Sequence, residues 1–236
     1  MRAKAKIRAA GIPFRIPADH LLPDRLKPVL ATLYLIFNQG YGPPVRAELC
    51  DEAIRLAKIL AALMPDEPEA FGLLALMLFQ DSRRAARAGD ELVLLDEQDR
   101  SLWDAQRIAE GNRVLARIRQ QGPYALQAAI AAEHTRAVTD WPRIAGLYAM
   151  LALCTRSPVV ELNRAVAVAM VDGPERGLEL IDQVELDGYH LLHSARADLL
   201  RRLERLDEAE AEYRRALELA PTDVERRFLQ RRLARA

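Results

Sequence analysis

Residues 190–221, HLLHSARADLLRRLERLDEAEAEYRRALELAP, set the architecture of this chain. Small Ala197 is followed twelve residues later by small Ala209. Tyr213 comes four later, Ala216 three after that, and Pro221 five after that. One unit upstream, residues 157–186, SPVVELNRAVAVAMVDGPERGLELIDQVEL, follow the same plan: Ala165, Gly177 twelve later, Ile181 four later and Val184 three later. Thirty-two residues separate Ala165 from Ala197. Both units read as a helix, a short polar turn and a second helix, with small residues where paired helices come close. A fainter echo of the four, three and five spacing sits at Ala53, Ala57, Leu60 and Pro65. The rhythm breaks over residues 81–101.

This spacing resembles the tetratricopeptide pattern, in which stacked helical hairpins bury a continuous core and a proline ends the second helix. It implies an all-α fold, a tetratricopeptide-like helical-hairpin array (an α-solenoid) of about ten or eleven helices. A generic Ala/Leu-rich bundle would also place small residues at helix contacts. Two units matching at five and four places favour the repeat.

The rest of the 236 residues agrees with an all-helical reading. Half are hydrophobic and only 6% aromatic, and strand signals are nearly absent. An apolar stripe at Leu26, Val29, Leu30, Leu33, Ile36 and Phe37 predicts a helix over 24–37, broken by Gly40, Gly42, Pro43 and Pro44. A second helix is expected from about Arg46 to Leu63, and a third from a cap at Asp66, with Pro68 in its first turn, to Gln80. The polar run DSRRAARAGD reads as loop, and ELVLL (91–95) as the one run able to extend. A helix is expected over 99–120, another from Gly122-Pro123, and another capped by Asp140 with Trp141 and Pro142 in its first turn. The halves divide at 19–122 and 123–236.

Thirty-four basic residues balance thirty-four acidic ones, which argues against a general nucleic-acid-binding body. Cys50 and Cys154 stand alone, so the expectation is reduced thiols, with no disulfide framework and no zinc ribbon. No run is apolar for the ~18 residues that a membrane span requires. Gly11 and Pro13 interrupt any signal-peptide core. A soluble, cytoplasmic protein is expected.

The chain opens MRAKAKIRAAGIPF, placing Arg2, Lys4, Lys6 and Arg8 together with no acid before Asp19. RAKAKIRAAGIPFRIP resembles the arginine-rich tail of the promoter-reading helix in the second DNA-binding domain of bacterial sigma factors. The segments LPDRLKPVLATLYLIFNQGY, CDEAIRLAKILAALMPDEPEAFGLLALMLFQDSRR, ELVLLDEQDRSLWD, GPYALQAAIAAEH, SPVVELNRAVAVAMVDGP and GYHLLHSARADLLRRL resemble the tetratricopeptide-like C-terminal extension of one group of extracytoplasmic-function-type sigma factors. The resemblance makes residues 1–18 the tail of a sigma DNA-binding domain and linker, and puts Arg2, Lys4, Lys6 and Arg8 near DNA phosphates, where they position without reading bases. The parts that bind polymerase and read the promoter have no counterpart here, so the resemblance implies that they precede Met1 and that the chain is a fragment. Its implied partners are those sigma domains in cis, RNA polymerase, promoter DNA through the missing domains, and a protein or peptide regulator.

Catalytic and metal signatures are sparse. His190 and His193, with Asp187, have ligand character, but no further Cys or His lies close in sequence. Glu133, His134 and Asp140 form an acid/base set only if the fold converges them; helix-end capping is the competing role. DEQDRSLWD (96–104) reads as a loop-to-helix cap with Trp103 in the core, or as an acidic docking patch. No glycine-rich phosphate loop or GxSxG is present. The expectation is therefore a non-enzyme without cofactor. Asn163 lies two residues before Ala165, where the resemblance to tetratricopeptide proteins implies an Asn that faces the concave groove and bonds an extended peptide, with Arg201 and Arg202 supplying charge for a carboxylate or acidic segment; the alternative is a surface Asn beside exposed arginines. The function expected is regulation of transcription initiation through protein contacts. The alternatives are a stand-alone scaffold for a peptide or protein, and an enzyme with an acidic interhelical cleft.

Overall fold

The computed structural model describes residues 22–42, 44–87 and 91–234, with Gly11 and Gly89. Eleven α-helices and no strand form among the described residues. They are α1 Leu22–Tyr41, α2 Ala47–Leu63, α3 Pro68–Asp81, α4 Ala105–Leu115, α5 Pro123–His134, α6 Trp141–Thr155, α7 Pro158–Asp172, α8 Pro174–Ile181, α9 His190–Arg202, α10 Leu206–Leu219 and α11 Asp223–Leu233. Each packs on its neighbour in sequence. In addition α1 stacks on α3, α3 on α5, and α7 on α9. Alternate helices thus form one inner wall, which is the hairpin array that the spacing predicts.

The repeat positions are the contact points. Ala165, Ile181, Ala197, Ala209, Tyr213 and Ala216 are fully buried. A Cβ on Gly177 would collide with that of Ala169. The stripe of α1 buries Leu26, Leu30, Leu33 and Phe37 at helical spacing. The third helix is different: Ala70 through Phe79 are buried without a break, so α3 is the axle of the first half. It touches α5 backbone to backbone at Gly72, and this contact crosses the 122/123 position.

Two helix starts differ from expectation. Glu67, not Asp66, occupies the N-cap of α3, and it makes no side-chain capping bond; Pro68 supplies the pre-set first turn. The helix expected over 99–120 is two pieces. Asp99 caps a 3₁₀ turn, Arg100–Leu102, by accepting from Ser101 N. Asp104 then caps α4 by accepting from Gln106 N and Arg107 N. Both aspartates bind the amides ahead of them instead of continuing a helix. Trp103, between the caps, is buried, as the cap reading of 96–104 requires.

Residues 81–104 leave the helical rhythm. The start of this stretch is held by charge: Asp81, only 4% exposed, pairs with Arg84 and Arg107, and Asp51 from α2 joins both arginines. Residues 92–94 are non-helical, with Leu94 in the extended region, and run along the inner wall. Leu92 and Leu94 lie over α7, α9 and α11, Leu95 lies over the first half, and Glu91 meets Arg231 at 3.1 Å.

Candidate binding surface

The inner wall carries two hollows joined at Asn163, which lines both. The first is a groove of about 450 Å³. Its floor is apolar: Leu162 and Val166 of α7, Leu191 and Ala195 of α9, Phe228 and Leu229 of α11. Asp198, Glu225 and Arg232 give it a charged rim. Asp198 bridges Arg201 and Arg232, so that rim is internally paired. The non-helical strap, with Leu92 and Leu94, forms its remaining side.

The second hollow is a cleft of about 510 Å³ between the two halves, walled by α1, α3, α5, α6 and α7. Phe37, Leu76, Ile130, Leu151 and Val160 make its apolar lining. Polar atoms converge at one end. Arg83, two residues beyond α3, is 7% exposed. Its Nη2 donates to Gln80 Oε1, which also accepts from the Tyr41 hydroxyl at 2.7 Å. Its Nε is buried and makes no hydrogen bond. Burial lowers the guanidinium below the usual arginine value, and the Arg87 charge adds to the effect. Arg87 lies with its Cζ 3.4 Å from the centre of the Tyr41 ring and donates to the Tyr41 carbonyl.

His134 lines the same end, with Nδ1 buried and unbonded. Burial, then the charges of Arg83 and Arg100, push its pKa down to about 4, so the ring is neutral at pH 7. Burial pushes the Tyr148 phenol up to about 12, so it stays a protonated donor. The arrangement offers one cation and several neutral donors around an apolar body.

Asn163 therefore sits where the repeat register predicts, exposed on the inner face. Arg201 and Arg202 do not line either hollow. Arg201 turns to Asp198 at 3.1 Å, and Arg202 reaches the Ala169 carbonyl and Met170 Sδ, both at 3.5 Å. Arg2, Lys4, Lys6 and Arg8 lie outside the described residues. The set Glu133, His134 and Asp140 does not converge. Glu133 is buried and paired with Arg136 and Arg143, His134 faces the cleft, and Asp140 caps α6 through Arg143 N. His193 is held between Glu212 Oε2 at 2.6 Å and the Asp187 carbonyl at 2.9 Å, and His190 approaches Glu225 at 3.2 Å. Among the described residues no three His, Cys, Asp or Glu are grouped to hold a metal ion. No described helix is long and apolar enough to cross a membrane. Sequence reasoning missed Arg83, Tyr41 and Tyr148 as a group, because DSRRAARAGD reads as solvated loop.

Comparison with known proteins agrees with this geometry. Residues 25–119 match a family of unknown function, DUF6596. The chain is 45% identical over 248 aligned residues to "Uncharacterized protein R00370" of Rhizobium meliloti (strain 1021). That match covers 98% of this chain and 59% of the relative, so the chain spans about six-tenths of the relative's length. Among solved structures, the thermophilic TPR protein TTC0263 of Thermus thermophilus superposes with a TM-score of 0.54 at 21% identity, covering 87% of this chain and 97% of that one. The tetratricopeptide-like fold is thereby established.

Proposed function

We propose that this chain is the regulatory, protein-contact extension of an alternative sigma factor, and that it acts on transcription initiation through its inner wall without chemistry of its own. One observation carries the reading. The segments that resemble the sigma extension lie far apart in sequence, yet α3, the 91–95 strap, α5, α7 and α9 all contribute to the same two hollows. A surface assembled from every distinctive segment is where the function is expected to lie. The Rhizobium relative is longer than the stretch matched here, which leaves room in it for further domains.

The test is made in the native cell, with an antibody against this chain. A native species heavier than 26.5 kDa that co-purifies with RNA polymerase supports the reading. A species of 26.5 kDa free of polymerase refutes it. The strap favours a second reading, a scaffold for peptides. A groove already bordered by Leu92 and by extended Leu94 matches the way tetratricopeptide-type surfaces take extended segments.

A further inference from the structure

We propose that the cleft between the two halves binds a small organic monocarboxylate, with the carboxylate on Arg83 and the hydrocarbon body against Phe37, Leu76, Ile130 and Val160. The inference goes beyond the regulatory reading and does not depend on it.

It starts from a charge imbalance. Among the described residues, three ionic side chains in the core are more than nine-tenths buried: Asp81, Arg83 and Glu133. Asp81 carries two arginines, Arg84 and Arg107. Glu133 also carries two, Arg136 and Arg143. Arg83 pairs with no carboxylate among the described residues; its bonded partner is the neutral Gln80 amide. A buried charge without a counter-ion is costly, and arginine does not escape by losing its proton. Folds keep such a group when something else completes it.

The surroundings say what completes it. Arg83 lines an open cleft, and a side-chain adjustment of the guanidinium is all that brings its shielded Nε to a ligand there. Its unbonded Nε and the fork geometry of guanidinium suit a carboxylate, which accepts two parallel N–H bonds. The hydroxyls of Tyr34 and Tyr148 and the Asn163 amide also line the cleft and make no hydrogen bond with a described residue. They add neutral donors to the same lining. No described lining residue is acidic, so nothing repels an anion. His134 is neutral, so Arg83 is the only cation in the described lining, and one cation matches a monoanion better than a phosphate dianion. The apolar wall and the volume of about 510 Å³ suit a ligand with a hydrocarbon or aromatic body.

The probe is octanoate, titrated by calorimetry into the whole chain, alongside octanamide and inorganic phosphate. Octanoate is expected to bind at least roughly tenfold tighter than octanamide, the gain of a charge-assisted pair, and phosphate not to compete. Arg83→Met is expected to abolish the difference between acid and amide. Apo Arg83→Met is expected to melt no lower than the parent, because an uncompensated buried charge has been removed. A merely structural arginine would instead lower the melting point. If Arg83→Met does not fold, histidine NMR of the parent decides: octanoate must shift the His134 ring signals and leave those of His190 and His193 in place.

A second arm titrates a leucine-rich pentapeptide with a free C-terminus, since that end is the other source of a carboxylate. Octanoate binding that depends on Arg83 upholds the proposal. Any of five results overturns it: no octanoate heat at millimolar concentration, equal affinity for acid and amide, an unchanged preference in Arg83→Met, a lowered melting point of apo Arg83→Met, or binding of the peptide alone.

Discussion

Adding one methyl group at Gly72 and the same methyl at Gly146 should move stability in opposite directions. Both glycines lie inside helices, α3 and α6. An alanine is favoured over glycine in a helix interior by about 0.8–1 kcal/mol. At Gly146, which is exposed, the new Cβ meets nothing within 4 Å, so Gly146→Ala should gain about 0.5–1 kcal/mol. At Gly72 the Cβ would sit 2.5 Å from Ala125 N and 2.9 Å from Ala125 Cα. These are backbone atoms of α5, so no side-chain rotation relieves the clash. Restoring ordinary contact needs a separation of roughly 1 Å between α3 and α5, at the end of the cleft's main wall. Overpacking against backbone costs about 3 kcal/mol, the top of the usual range. Setting the propensity gain of about 1 kcal/mol against it leaves a net loss of about 2 kcal/mol. In a chain of this size that is a drop of about 4–8 °C in melting temperature. The assay is urea unfolding followed both by far-ultraviolet circular dichroism and by fluorescence of Trp103 and Trp141, so that any loss of two-state behaviour shows as non-coincident curves. Gly72→Ala equal to or more stable than the parent, with Gly146→Ala behaving as predicted, would refute the close approach of α3 to α5.

The Asp81 clasp predicts a second contrast. Asp81→Ala leaves Arg84 and Arg107 with only the half-exposed Asp51 and Asp104 and should cost about 1.5–3 kcal/mol, the range for hydrogen bonds to a buried charge, whereas Asp51→Ala, whose side chain is 51% exposed, should cost under about 1 kcal/mol, both read from urea midpoints. His134 predicts acid sensitivity. Its folded pKa of about 4 lies below the ordinary 6.5, so the unfolded chain takes the proton first. The contribution is complete above pH 6.5 and is lost as pH falls to 4, by at most about 3 kcal/mol. Arg83 and Arg100 are the charges facing it, and Asp51, held low by Arg84 and Arg107, titrates beneath this window. His134→Gln should flatten melting temperature between pH 6.5 and 4, and an unchanged slope would assign the acid loss elsewhere. The strap predicts a local effect: Leu92→Ser with Leu94→Ser should leave global stability within about 1–2 kcal/mol but speed proteolytic cleavage inside residues 91–98, and unchanged cleavage would mean that the leucines do not hold it down.

Most of the array is legible because its signals are local and redundant. The four, three and five spacing fixes which face of each helix is small, and those positions are the buried ones. Pro123, Asp140 and Pro142 mark their helix starts through backbone chemistry that tertiary packing leaves alone. The same register places Asn163 on the inner wall. It fails for Arg201 and Arg202. On α9 the groove-facing stripe runs Leu191, Ser194, Ala195, Asp198, and both arginines continue it by three and four residues. They nonetheless sit in the last turn, where one is taken by Asp198 and the other by the end of α7. Position on a face is written in the spacing; the reach of a long side chain at a helix end is not.

Arg83 shows a different limit. DSRR holds one acid and two arginines, and helix geometry pairs Asp81 with Arg84 at i+3, not with Arg83 at i+2, which leaves on another side. The sequence therefore already says that Arg83 needs a partner from elsewhere in the chain. What it does not carry is the identity of the wall that arrives there. The fold brings Tyr41 from α1, His134 from α5, and Tyr148 and Asn163 from α6 and α7, all neutral and none a carboxylate. A buried cation with no carboxylate partner among the described residues is a property of five segments jointly, and no window of sequence contains it. The absence of a counter-charge among the described residues is visible only once every described neighbour is known, which is why the cleft, unlike the repeat, required a structure.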